Sequence, residues 1–203
     1  MTVALIDDDS AVLHSMRLLI ESRELPVACY ESAEAFLEDL PETKPSCVVA
    51  DVRMPGMSGL ELQRVLKQRN HEAPLILISG HADVSMAVEA LKEGAFDFFE
   101  KPYDGERLAS SVNDAVQKGR RQSSENSERI DIAERLKALS PRQREVLEFV
   151  ASGMSNKQIA AKLSISPRTV ETYRAWVMER IGAQNVADLV RKVSAFLPQD
   201  PKA

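Results

Sequence analysis

Between residues 3 and 118 one pattern recurs five times: a short, mostly apolar run, then a stretch whose apolar residues fall at helical spacing. The runs lie at 3–6, 27–30, 47–50, 75–78 and 96–99 and have the length and composition of strands. The stretches between them, at 10–22, 32–40, 58–69, 83–93 and 104–118, read as helices, as Leu60, Val65 and Leu66 illustrate. Strands joined through helices run parallel, and a parallel sheet is covered on both faces. Residues 1–118 are therefore predicted to form a doubly wound α/β domain with a five-stranded parallel sheet.

The repeat stops at Gly119. Residues 119–126 contain no apolar side chain, so 119–138 is expected to be a linker or an exposed helix extension. From Ser140 the sequence is helical. Ser140 precedes Pro141 and is followed three residues later by Gln143, which makes a capping box with proline at the first helical position. Ser155 and Gln158 repeat the box, and Ser166 with Pro167 repeats the proline start. Helices are predicted to begin near 141, 156 and 167, with a last one at about 186–196. Ile159, Ala160, Leu163, Ile165, Val170, Tyr173 and Val177 supply a shared apolar face, and a helix-turn-helix is the natural product. Residues 139–203 are thus expected to form a second, all-α domain.

Charge separates the same two regions. The whole chain carries a net charge of −5, but residues 1–118 hold 11 basic and 21 acidic side chains, whereas 139–203 hold 10 basic and 6 acidic. The acidic average therefore does not exclude nucleic acid as a partner of the second region. No apolar run approaches the roughly 18 residues of a membrane helix, and the N-terminus lacks the features of a signal peptide, so a cytoplasmic protein is expected. Cys29 and Cys47 form neither a CxxC pair nor a cluster with histidine and are expected to be buried thiols. Trp176, the single tryptophan, is expected to pack in the core.

A doubly wound sheet binds its ligands beyond the carboxyl ends of its strands. There the first run ends in Asp7, Asp8 and Asp9, the third in Asp51 and the fourth in Ser79, while Lys101 and Pro102 follow the fifth. Clustered carboxylates attract a hard divalent cation such as magnesium. One carboxylate can attack phosphorus and form an acyl phosphate while metal, Lys101 and Ser79 neutralise the transferring oxygens. No base is needed, because a carboxylate is already ionised at pH 7.

Asp7-Asp8, Asp51-Val52-Arg53-Met54-Pro55-Gly56, Ser79-Gly80 and Lys101-Pro102, in that order, resemble the receiver domain of two-component response regulators over nearly all of residues 1–118. The resemblance implies a flavodoxin-like or CheY-like sheet and phosphorylation of Asp51 by a sensor histidine kinase. It also implies magnesium held by Asp8, Asp51 and the Arg53 carbonyl, with Asp7 acting through water. Ser79 and Phe98 would be switch residues, and the Lys101-Pro102 bond would be cis. An aspartyl-phosphate phosphotransferase or phosphatase is a competing class, but such enzymes place a second acid two residues after the nucleophile, where this chain has Arg53. A phosphorylation-independent scaffold has no use for like charges held together.

In a helix-turn-helix the second helix enters the major groove. Here Arg168, Thr169, Glu171, Thr172 and Arg174 are its polar residues, Val170, Tyr173 and Val177 its inward ones, and Lys157 and Arg180 candidates for phosphate contact. The segments Leu139-Ser140-Pro141-Arg142-Gln143-Arg144-Glu145, Gly153-Met154-Ser155-Asn156-Lys157-Gln158 and Ser166-Pro167-Arg168-Thr169-Val170-Glu171 resemble the effector domain of LuxR, NarL and FixJ regulators. Tyr173 stands where many members carry histidine. The resemblance implies that phosphorylation remodels a face at Val88, Leu91, Lys92 and Phe98, producing a homodimer that reads double-stranded DNA at half-sites about 10 to 10.5 base pairs apart.

Overall fold

The strands follow the apolar runs to within one residue. A computed structural model describes residues 2–81 and 84–197, in the order β1 (Val3–Ile6), α1 (Ser10–Glu21), β2 (Val27–Tyr30), α2 (Ala33–Thr43), β3 (Cys47–Asp51), α3 (Gly59–Gln68), β4 (Leu75–Ser79), α4 (Val84–Lys92) and β5 (Asp97–Glu100). There follow α5 (Gly105–Lys137), α6 (Pro141–Ala151), α7 (Asn156–Leu163), α8 (Pro167–Ile181) and α9 (Val186–Val193). Residue 83, the expected start of α4, and residues 198–203 of the second domain lie outside the described residues. Contacts divide the chain between Ser124 and Glu125.

In the first unit all strand pairs are parallel, in the order β2-β1-β3-β4-β5. Successive side chains of a strand point to opposite faces, which gives the unit two cores. Val3, Leu5, Val49, Ile76, Ile78 and Phe99 pack with α1 and α5 on one face, while Ala4, Ile6, Val48, Ala50, Leu75 and Leu77 pack with α2, α3 and α4 on the other. Each fully buried Leu, Ile or Val contributes about 1.5–3 kcal/mol. Helix starts are marked by side-chain caps: Asp9 accepts from the amides of Ala11 and Val12, and Ser58 with Glu61 forms a capping box at α3.

No proline lies between Gly105 and Lys137, and α5 runs through 119–137, nearly all of the stretch expected to be a linker or an exposed helix extension. Its near part belongs to the first unit: Gly119 is buried, and a Cβ there would lie 2.3 Å from the Ser46 carbonyl oxygen. Its far part serves the second unit, where Leu136 packs against the core that Leu139, just past the helix end, joins.

The second unit begins its helices at the capped positions. Ser140 and Ser155 make capping boxes with Gln143 and Gln158, and Ser166 accepts from the Thr169 amide. Val146, Leu147, Ile159, Val170, Val177, Ile181 and Leu189 fill its core. Two expectations fail. Trp176 is 49% exposed, because the inward stripe of α8 runs through 170, 177 and 181 and residue 176 stands off it; its ring meets Tyr173 edge-on at 5.5 Å. Cys29 is exposed because β2 is an edge strand, whereas Cys47 on β3 is buried and its thiol pKa is pushed up by burial.

Candidate functional site

Four strand ends meet at one rim of the first sheet. The winding reverses between β1 and β3, so Asp7 and Asp51 flank the crevice where open α/β sheets take ligands. Both are buried, at 2% and 6% exposure. Lys101, just past β5, places Nζ 2.8 Å from Asp7 Oδ2 and 2.6 Å from Asp51 Oδ1. The remaining oxygens accept backbone amides: Asp7 Oδ1 from Asp9 at 2.9 Å and Asp51 Oδ2 from Arg53 at 2.6 Å. The Lys101 amide donates to the Ser79 carbonyl at 2.8 Å, and the Lys101-Pro102 bond is cis. Ser79 is fully buried, and its Oγ accepts from the His81 amide at 3.3 Å.

Burial raises the Asp7 carboxyl pKa above its ordinary value, against the pull of Lys101 and the Asp9 amide. Burial lowers that of Lys101, but its bonds to Asp51 and Asp7 outweigh this and the net shift is upward. The ammonium is therefore charged at neutral pH and acts as counter-ion to two buried carboxylates. Charged groups out of water need such pairing.

The structure joins Asp7, Asp51 and Lys101 directly, with Ser79 linked to Lys101 through backbone. Asp8 and Arg53 have exposed side chains at the same rim. No group of three His, Cys, Asp or Glu side chains among the described residues is arranged as a metal cage. Magnesium does not require one, since one or two carboxylates and several waters suffice. The donors here are all oxygens, and among the described residues Lys101 is the one cation paired with Asp7 and Asp51. Two carboxylates against one ammonium leave negative charge, and the set fits a hard divalent cation. Phe98, on β5, is half-buried beside the second core. Val88, Leu91 and Lys92 share one exposed face of α4.

On α8, Arg168, Glu171 and Thr172 are exposed, and so is Ala175. These positions make one stripe at i, i+3, i+4 and i+7. Sequence reasoning missed Ala175, because a methyl group carries no charge or hydrogen-bonding signal. Thr169 is half-buried, and its hydroxyl lies 2.8 Å from Ser166 Oγ at the helix start. Arg174 departs from the expected groove face. It shares the inward side with Val170, Val177 and Ile181, and its guanidinium donates to Asn156 Oδ1 at 2.9 Å, in the first turn of α7 beside exposed Lys157. Asn156 was not expected to matter. Arg180 is exposed in the last turn.

The response regulator receiver domain family matches residues 3–113, and the luxR family of bacterial regulatory proteins matches residues 137–193. The chain belongs to the response regulators. It is 42% identical over 189 residues to the transcriptional regulatory protein FixJ of Bradyrhizobium diazoefficiens, covering 93% of this chain and 92% of that one. The response regulator protein TodT of Pseudomonas putida is 41% identical over 189 residues, covering 93% and 83%. Among solved structures, response regulator StyR superposes with a TM-score of 0.83 at 33% identity, covering 96% and 98% of the two chains. Full-length FixJ from B. japonicum gives 0.58 at 41% identity, covering 95% of each. A receiver joined to a LuxR-type DNA-binding domain makes this regulator a phosphorylation-dependent transcription factor. Among the described residues no helix is long and apolar enough to cross a membrane.

Proposed function

We propose that Asp51 is the residue that takes the phosphoryl group, from a phosphohistidine of the sensor kinase. An Asp51 carboxylate oxygen bonds to phosphorus as the phosphorus–nitrogen bond breaks and the donor imidazole leaves with the electron pair. The observation that carries this reading is the meeting of Asp7, Asp51 and Lys101 within hydrogen-bond distance, from three different strand ends. Lys101, free to turn from Asp51 toward the incoming oxygens, stabilises their charge. The Ser79 hydroxyl offers them a hydrogen bond, and the Arg53 amide holds Asp51 in place. Asp8, Asp51 and the Arg53 carbonyl, with Asp7 acting through water, would hold magnesium, which when bound would supply further charge neutralisation for the transferring oxygens.

The phosphoryl group carries about 1.5 to 2 negative charges and replaces the single charge of the Asp51 carboxylate, so the rim gains up to about one. Ser79 and Phe98 then move inward, and the α4 face with Val88, Leu91 and Lys92 takes a second copy. In the dimer, Arg168, Glu171 and Thr172 meet base edges, Thr169 secures the helix start, and Lys157, Arg174 and Arg180 bind phosphates. The regulator works in the cytoplasm, where kinase and DNA are both within reach.

Intact-mass analysis after incubation with magnesium and a small acyl phosphate tests the acceptor. Wild type gains one phosphoryl group and then binds operator DNA more tightly, while Asp51→Asn gains neither. An equal response from Asp51→Asn sinks the reading.

A further inference from the structure

A side chain outside the strand ends reaches the loop that follows Asp51. This loop, residues 52–58, carries Arg53, whose amide bonds Asp51. Its ends are tied by ordinary means: the Gly59 amide donates to the Val52 carbonyl at 3.0 Å, and Ser58 caps α3. Just before that cap the loop is also tied across 23 positions of sequence, where the Met57 amide donates to Glu34 Oε1 at 2.8 Å. Gly56 makes this approach possible. It has φ +76°, and a Cβ there would lie 2.6 Å from Glu34 Oε1, closer than non-bonded atoms allow. The space that any other residue would fill is taken by the carboxylate.

Glu34 is exposed, but its backbone is fixed in the first turn of α2, which is capped by Ser32 and held to the core by Ala33 and Phe36. A carboxylate there also has a favourable interaction with the helix dipole.

We infer that Glu34 is a positioning residue for phosphorylation, latching the loop after β3 so that the Arg53 amide and carbonyl stay aligned with Asp51. The inference rests on the reading of Asp51 as acceptor. A loop pinned at an interior point has less freedom to lose when cation and phosphoryl group arrive. Without the latch the site still contains all its groups, but more magnesium is needed to order them.

The test is a magnesium titration of the full chain with two readouts: the rise in melting temperature without phosphodonor, and the rate of phosphorylation by a small acyl phosphate. Glu34→Ala shifts half-saturation upward about tenfold in both, as loss of an outer-shell partner does, with a smaller change in limiting rate. Glu34→Gln keeps an acceptor oxygen and restores most of the wild-type dependence. Gly56→Ala, which displaces the carboxylate, gives the same shift and does not add to Glu34→Ala; it carries the test if Glu34→Ala does not fold. Unchanged half-saturation in Glu34→Ala overturns the inference, as does a Glu34→Gln variant as impaired as Glu34→Ala. Absence of phosphate from Asp51 in wild type overturns the acceptor reading instead, and the melting readout still decides the latch.

Discussion

The two units of the regulator place their working groups by opposite means. In the receiver, the contact that organises the rim joins Lys101 to Asp7 across 94 positions, and each group means little until the sheet has formed. In the DNA-reading unit, the start of each of α6, α7 and α8 is fixed by side chains three residues apart. Long-range assembly lets buried charges meet where no local segment could hold them. Local assembly gives a small module well-defined helix ends, with a core too small to correct a misplaced helix. The difference teaches where each unit is vulnerable: the receiver in its strand ends, the reader in its caps.

Breaking the receiver side should produce the largest effect. Lys101→Met removes the counter-ion of two buried carboxylates and a donor to the transferring oxygens. Phosphorylation of Asp51 by a small acyl phosphate should slow about 100-fold, while the reader's DNA affinity in the unphosphorylated full chain stays put. A rate within threefold of wild type would show that the long-range pairing is dispensable.

The reading helix separates its arginines next. Arg168→Ala, on the exposed stripe, should cost about 1–3 kcal/mol of discrimination at one base position. Arg174→Ala should weaken all sequences alike and lower the salt slope by about 1. Binding curves on matched and mismatched operators at two salt concentrations distinguish the two. Altered base preference in Arg174→Ala would return that side chain to the groove.

A smaller change sharpens the local side. Ser155→Ala removes the cap of α7 and should destabilise the reader by about 1 kcal/mol in urea unfolding, leaving receiver phosphorylation unaltered. The smallest effect concerns His71, whose pKa is lowered by burial and whose Nδ1 accepts the Ala73 amide at 3.1 Å. Because the unfolded state binds the proton more readily, the neutral ring's contribution is full above the ordinary histidine pKa of about 6.5 and fades as pH falls toward the lowered value. His71→Asn should flatten that part of the receiver's stability profile between pH 7 and 5, and an unchanged profile would assign the slope to carboxylates.

The same contrast decides what was legible in the sequence. The apolar runs gave all five strands, and proline and serine gave the helix starts at Pro141, Asn156 and Pro167, because these signals are local. The acids, Ser79 and Lys101 were legible as a set only because a parallel sheet brings its strand ends to one rim. Glu34, Asn156 and the inward turn of Arg174 were not legible, since each depends on a partner from another helix or loop. Cys29 and Trp176 misled because residue type was taken as a sign of burial, whereas an edge strand and a helix flank decided their exposure. The length of α5 was open for the opposite reason: a helix without an apolar stripe leaves no periodic trace.

That polar stretch of α5 has a practical meaning for cleavage. Every residue from 123 to 131 is exposed, and none of the three cores receives a side chain from it. Helical hydrogen bonds alone seldom keep so short a segment closed in water. A protease that opens the chain there would find Arg129 in its path and leave two fragments, each with its own core complete. The Gly119 end should survive with the first and Leu136 with the second.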